Sequence, residues 1–538
     1  MTRATRHRRG ATLAALLALA VCGCKSPAEH RAEADREAYE LVRSRRERLA
    51  LPDGPFTIEP DPERLDQRIR RGELSDLGTL ALVDVLEIAA ANSREYQTQK
   101  ETLYLAALDL TLERWRFALQ KGGTLGAALD GAGSDAERAS ADAGFSLSKL
   151  LGSGALIVAD IGLGVSRNLL TSDGWGAVTD VGLSFSQPLL AGAGEKIVME
   201  PLTQAERDLV YSVRGFERYR RTFAYDVATR FYRLLQTADQ VKNQEENVRN
   251  LEVLSARNRA LVEAGRLSVI ELGQARQDEL RSTNNLLDAR ARYERQLDEF
   301  AIFLGLPVGV RFDIDTGGML ELPDEASPQP GIEEELATRI ALAARLDYLT
   351  TIEREEDARR KVEVAEDALQ GFLSVNGDIR AFSTEGQPLE FDQTLWGVGL
   401  DFSFPFERLP QRNAWREAIV RREAALRAVD AASDRIRADV REDLRQTVTQ
   451  LEGWRIQANA VQLADRRIES TRLQLDAGRA TTRDLLEAQE SLLSAQNSAT
   501  ASRIDYTLSR MGLYLDMELL RVDETGIRLL DPSAVEGE

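Results

Sequence analysis

The sequence predicts a mainly α protein with a small β part, built as a tandem repeat in which the order helix, strand, strand, helix, helix occurs twice. Three observations carry that expectation. Residues 202–306 and 411–531 hold no proline, residues 122–194 hold 15 of the 38 glycines, and a shift of 213 residues superposes the two proline-free tracts. Under that shift Ala264-Gly265-Arg266 falls on Ala477-Gly478-Arg479, Leu272 on Leu485, Ala275 on Ala488, Leu280 on Leu493, Asn284 on Asn497, Arg290 on Arg503 and Tyr293 on Tyr506. Those nine identities in 30 columns need no gap, as expected of a duplicated unit.

From the N-terminus, Arg3, Arg6, Arg8 and Arg9 precede the apolar run Ala11 to Val21, too short for the roughly 20 residues of a membrane span. Residues 1–23 therefore read as an export signal. It ends in Val21-Cys22-Gly23-Cys24, which resembles the lipobox of bacterial lipoproteins, with Gly23 as the small residue before an acylated Cys24. Beyond Cys24 there is no cysteine, hence neither a disulfide framework nor a thiol nucleophile. Residues 24–79 read as a lipid-anchored spacer, with a helix expected over Ala32 to Leu49 and a proline-bearing linker at Pro52, Pro55, Pro60 and Pro62.

Leu82 to Leu119 has helical apolar spacing. In the glycine-rich segment, Ala155 to Ala159 and Val181 to Phe185 are strand signals, the second stopped by Pro188, which cannot donate to a ladder. The tract 202–306 then reads as two helices broken at Gly265. At 1.5 Å per residue, Leu202 to Glu263 would reach roughly 90 Å, too long for a globular core. The order recurs: Ile332 to Leu369 helical, Phe372 to Phe382 and Leu395 to Phe404 strands, then helices broken at Gly478. Leu485, Leu492, Ala499, Tyr506, Leu513 and Leu520 lie seven apart, a spacing that packs helix against helix. The expected domains are the signal 1–23, the anchored segment 24–79, a first repeat 80–306, a linker 307–331, a second repeat 332–520 and a tail 521–538.

Charge and composition remove whole function classes. With 88 acids against 69 lysines and arginines the net charge is −19, which disfavours a nucleic-acid partner, because phosphate binding draws on lysine and arginine. The two histidines, His7 and His30, both lie near the start, leaving a histidine triad or zinc site without parts. No phosphate loop and no clustered metal ligands occur, so no catalytic residue, cofactor or metal is expected. About four strands cannot seal a membrane barrel, which needs about eight, so membrane strands would oblige several copies to share one wall.

At this point the order of elements resembles the TolC-like outer membrane factor family, over about residues 80 to 520. Ala344-Arg345-Leu346-Asp347-Tyr348 is similar to the family's Arg-Pro-Asp pattern, with leucine in place of proline, and Asn92-Ser93-Arg94-Glu95-Tyr96 to its Asn-Pro counterpart. Phe185-Ser186-Gln187-Pro188-Leu189-Leu190 and Phe402-Ser403-Phe404-Pro405-Phe406 resemble the strand-ending patterns. The resemblance implies a homotrimeric, twelve-stranded outer-membrane β-barrel continuous with a periplasmic α-helical coiled-coil tunnel, anchored by lipid in the cell outer membrane. It further implies a passive exit duct of tripartite efflux or type I secretion, with a periplasmic adaptor and an inner-membrane transporter as partners.

The hairpin tips have a bland reading first. Gly265 and Gly478 can adopt the left-handed turn, while Ser268 with Glu271 and Thr481 with Asp484 have capping-box spacing. The resemblance adds roles: Gly265, Leu267, Ser268, Gly478, Ala480 and Thr481 as adaptor contacts, and Asp484, Glu487 and Glu271 at the pore constriction. The family's locking arginine falls at Ala480 and its tyrosine partner at Leu475, with Arg479 adjacent. The alternative reading of another class is a lipid-anchored periplasmic adaptor or coiled-coil scaffold, which the two tandem hairpins disfavour.

Overall fold

The computed structural model describes residues 25–532 apart from 50, 52–55, 60–63, 133–135, 171–173, 318–330, 385–386 and 524. The signal 1–23 and Cys24 lie outside the described residues. The chain divides into two compact units. One gathers the residues up to Thr57, Glu101–Val213 and Asp357–Arg422; the other gathers Ile58–Lys100, Arg214–Glu356 and Glu423 onward.

The first unit is organised by one antiparallel sheet of six strands, here numbered β1 Gln120–Ala132, β2 Ala136–Leu150, β3 Leu156–Asn168, β4 Gly176–Pro188, β5 Phe372–Thr384 and β6 Gln387–Ser403. Their order in space is their order in sequence. This corrects the expectation of four strands. The addition is β1–β2, where alanine, glycine and serine dominate and only a few large apolar residues mark the alternation, so the segment carries little strand signal. Residues near Leu150 to Val165, the most apolar run after Cys24, form β3 rather than a helix. Among the described residues no helix is long and apolar enough to cross a membrane.

Also in this unit, the helix Pro27–Arg48 starts five residues before the expected Ala32. Ser26 caps it and Glu29 closes the capping box, with Ser26 N donating to Glu29 Oε2 at 2.7 Å. It is docked rather than free: Ala38 and Val42 are fully buried, Tyr39 packs on Tyr104 with ring centroids 5.8 Å apart, and the Tyr104 hydroxyl donates to Asp35 at 2.7 Å. The spacer reading of this segment is thereby corrected.

Four long helices follow the strands: α1 Glu200–Glu263 and α2 Val269–Phe303, then α3 Leu409–Asp476 and α4 Thr482–Asp516. In the second unit, Ile436 and Val440 of α3 and Met511 and Leu513 of α4 pack with Ala337, Ile340 and Ala341. Trp454 stacks on the fully buried Tyr506 at 5.8 Å. The two shorter helical tracts each break once, at Ser93 and at Arg345. Those breaks are the Asn-Ser-Arg and Arg-Leu-Asp patterns. Asn92 accepts from Asp66 N and donates to Ile88 O, and Arg345 forks onto Asp347 at 2.9 and 3.1 Å.

A buried ionic centre lies in the same unit. Arg221 and Glu518, both nearly inaccessible, meet at 2.5 Å, with Arg218 on the other carboxylate oxygen at 2.7 Å. Glu518 has φ of 61°, the one non-glycine with positive φ among the described residues. Removing one member of such a pair strands a buried charge, at a cost of about 3–5 kcal/mol.

Candidate functional site

Two parts of the molecule carry the candidate function, the hairpin tips and the faces of the sheet. At the first tip, Gly265 takes φ of 67° and donates to Val262 O at 2.9 Å, while Arg266 N reaches Leu261 O at 2.8 Å. At the second, Gly478 takes φ of 70° and donates to Leu475 O at 3.0 Å, with Arg479 N to Gln474 O at 2.8 Å. Both are Schellman turns, in which a residue without a Cβ accepts the left-handed conformation at no steric cost.

The return helices start differently. Thr481 and Asp484 form the full capping box: Thr481 N and Oγ1 donate to Asp484 Oδ2 at 2.8 and 2.7 Å, and Asp484 N returns to Thr481 Oγ1 at 3.4 Å. These bonds, the backbone one foremost, hold the Asp484 carboxyl below its usual value. Ser268 instead accepts from Ile270 N at 3.1 Å, and Glu271 bonds back only through its backbone N–H, to Ser268 O. Glu487 pairs with Arg467 at 2.9 Å on the surface. The acids placed at the pore constriction therefore stand in local roles here: Asp484 as cap, Glu487 as one half of an exposed ion pair, Glu271 in the first turn.

The structure brings the tips together. Leu251 and Leu254 of α1 pack with Leu485 and Leu486 of α4, and Ile468 and Leu475 of α3 close the cluster. Leu475, in the place of the family's tyrosine, is thus part of an apolar core. Asn258 donates to Thr482 at 3.1 Å in a buried contact, and Arg257 meets Asp476 at 2.5 Å. Leu267 and Ala480 are half-buried, whereas Gly265, Ser268, Gly478 and Thr481 are exposed. Sequence reading missed Val269 and Ile270, more than 70% exposed beside the first tip; two β-branched residues opening a helix were the available signal.

The sheet separates polar from apolar by strand parity. On one face stand Leu125, Phe145, Ile161, Leu183, Ile379 and Trp396, all exposed. On the other stand Asp142, Asp160, Asp180, Asp378 and Asp401. Several of these aspartates lie over a cross-strand glycine: a Cβ on Gly162 would come within 2.3 Å of Asp180 Oδ1, and one on Gly182 within 2.6 Å of Asp160 Oδ1. An exposed apolar face of six strands is far larger than soluble monomers tolerate, and it is the pattern of a lipid-facing wall.

Residues 157–305 match the family model described as outer membrane efflux protein. The chain carries an outer membrane efflux protein domain. That match takes in β3, β4 and the first helical hairpin, so the resemblance read from the sequence is borne out. Among solved structures the chain is similar to CusC, whose structures concern transmembrane channel formation, with a TM-score of 0.59 and 13% identity over 87% of this chain and 98% of that one. It is similar to the outer membrane protein VceC of Vibrio cholerae, with a TM-score of 0.58 and 15% identity over 81% and 95%. It is also similar to the CmeC outer membrane channel of Campylobacter jejuni, at 0.58 and 15% over 90% and 96%. At such identities the likeness shows the fold, which is that of outer membrane channels. No curated protein matches the chain by sequence. Among the described residues no group of histidine, cysteine, aspartate or glutamate is placed to hold a metal ion.

Proposed function

We propose that the chain is one protomer of a homotrimeric outer membrane exit duct, a passive conduit serving a tripartite efflux or type I secretion machine. The observation that carries this reading is the six-stranded sheet with one exposed apolar face and one aspartate-bearing face, joined to helices of 64 and 68 residues. A sheet of that kind suits lipid on one side and water on the other, and its open edges must be closed by further copies. The two repeats, 80–306 and 332–520, stem from one duplicated unit on this reading.

The remaining assignments follow the family. Cys24 is the lipidated residue, and an inner-membrane transporter supplies the energy through a periplasmic adaptor that meets Gly265, Leu267, Ser268, Gly478, Ala480 and Thr481. Val269 and Ile270 extend that contact with apolar surface. Asp484, Glu487 and Glu271 narrow the periplasmic entrance, where threefold repetition concentrates negative potential. Detergent extraction of outer membranes tests the reading: heat-resistant trimers are expected, and a monomer confined to the soluble periplasm would refute it.

A further inference from the structure

Hairpin β1–β2 is integral to the sheet. β2 pairs with β3 without a register shift from Arg138↔Asn168 to Leu150↔Leu156. β1 and β2 run 13 and 15 residues, longer than the roughly 9–11 that a tilted membrane strand needs. The matched efflux-protein residues begin at Ile157, so the hairpin lies outside them.

Its faces continue those of the other four strands. Leu125 and Leu129, 72% and 79% exposed, share a face with Phe145, which lies opposite Ile161 and so in line with Val181. On the other face Asp142 lies over Gly126, where a Cβ would come within 2.4 Å of its Oδ1. The same aspartate-over-glycine arrangement occurs in β3–β4 at Asp160 and Gly182 and in β5–β6 at Asp378 and Gly397. All three hairpins are thus built alike. The turn joining β2 to β3 is short and tied to the end of β4, with Ser153 Oγ donating to Gln187 Oε1 at 2.9 Å and Gln187 Nε2 to Ser153 O at 3.1 Å. Short turns on one side are the habit of membrane barrels.

Two edges remain open in the sheet, β1 and β6. They run in opposite senses, since β1 follows a helix and β6 leads into one. A β6 set beside the β1 of another copy is therefore antiparallel, with Val398 on the same side as Ala127. We propose that β1–β2 is a third hairpin of the membrane wall, and that three copies close an eighteen-stranded barrel by pairing β6 of one with β1 of the next. Such a barrel has about one and a half times the diameter of a twelve-stranded one and leaves a water-filled lumen. The proposal rests on the exit-duct reading and adds which strands meet and how wide the outlet is.

Both cysteines precede Lys25, so engineered pairs in the full chain are read cleanly. Ala127→Cys combined in turn with Trp396→Cys, Val398→Cys or Leu400→Cys, oxidised in outer membranes, is expected to give a covalently closed trimer. Ile161→Cys with the same partners is expected to give none, because β3 meets β6 of a neighbour only if β1–β2 is left out of the wall. Covalent trimers through Ile161→Cys would overturn the proposal. If no pair links, counting strands in electron images of the purified trimer decides: eighteen supports it and twelve overturns it. Absence of trimers from the outer membrane would instead sink the duct reading, and the wall with it.

Discussion

The two return helices, α2 and α4, are each 35 residues long and align through identical residues, yet they sit in different surroundings. Tyr506 of α4 is fully buried against Trp454, whereas its counterpart Tyr293 is half-buried and gives its hydroxyl to Asp313. Leu485 is buried and Leu272 only partly so. Along α2, Val269, Ile270, Leu280, Leu287 and Ile302 are all exposed. Two helices that align residue for residue have thus kept their spacing and lost their symmetry of burial. Helix α4 is largely covered within one chain, whereas α2 keeps an exposed apolar stripe, which on the exit-duct reading is left for a neighbouring copy.

The largest expected effect separates the arms directly. Leu513→Ala removes a side chain with no exposed surface and should cost about 3 kcal/mol or more in denaturant unfolding of the subunit. Leu280→Ala, more than half exposed, should leave that measurement nearly unchanged and instead lower the temperature at which detergent-solubilised trimers dissociate. Equal costs in the subunit would break the comparison.

The next effect belongs to the second hairpin, where Asp443 of α3 lies close to Asp516 of α4. Burial, then the charge and hydrogen bond of Asp516 and the nearby Asp439 and Glu442, push the Asp443 carboxyl up from 3.8 to about 7. A group raised on folding contributes stability that is complete below its unfolded value and is lost as pH rises through its folded one. Melting temperature should therefore fall between about pH 4 and pH 7, and Asp443→Asn should flatten that slope. A slope unchanged in the variant would show that other groups carry it.

Much of this was legible in the sequence. Glycine in a proline-free tract marked both tips, because a left-handed residue followed by a capping hydroxyl is a local instruction that needs no tertiary help. Pro188 marked the end of β4 for the same reason. The kinks at Ser93 and Arg345 were not separable from continuous helix, since the residues that break it are secured by partners distant in sequence, Asp66 at the first and Asp516 at the second. Hairpin β1–β2 escaped because its apolar face is made largely of alanine and glycine, such as Ala127, Ala139 and Ala141, whose alternation is weak. The difference in burial between α2 and α4 was hidden where the columns are identical, as at Leu272 and Leu485 or Tyr293 and Tyr506.

A smaller effect tests whether the tips differ as their caps do. Thr481→Ala removes a hydroxyl that accepts from Asp484 N and donates to its carboxylate, and should cost about 1 kcal/mol. Ser268→Ala removes a single bond to Ile270 N and should cost less. Thermal unfolding of the two variants side by side should show that order, and the reverse order would mean that the first tip is the more tightly built.

The smallest effect concerns charge at the same place. Asp484→Asn with Glu487→Gln is expected to weaken block of the channel by multivalent cations in bilayer conductance by about fivefold or less. The change is modest because Asp484 already serves its cap and Glu487 already faces Arg467, so each acid offers a passing cation only part of its charge. Charge reversal at the partner, Arg467→Glu, frees Glu487 and adds an acid, and should strengthen the block in the otherwise unchanged chain. If neither change alters the block, the entrance lies away from α4, and the constriction must be sought on the α2 side, at Glu271.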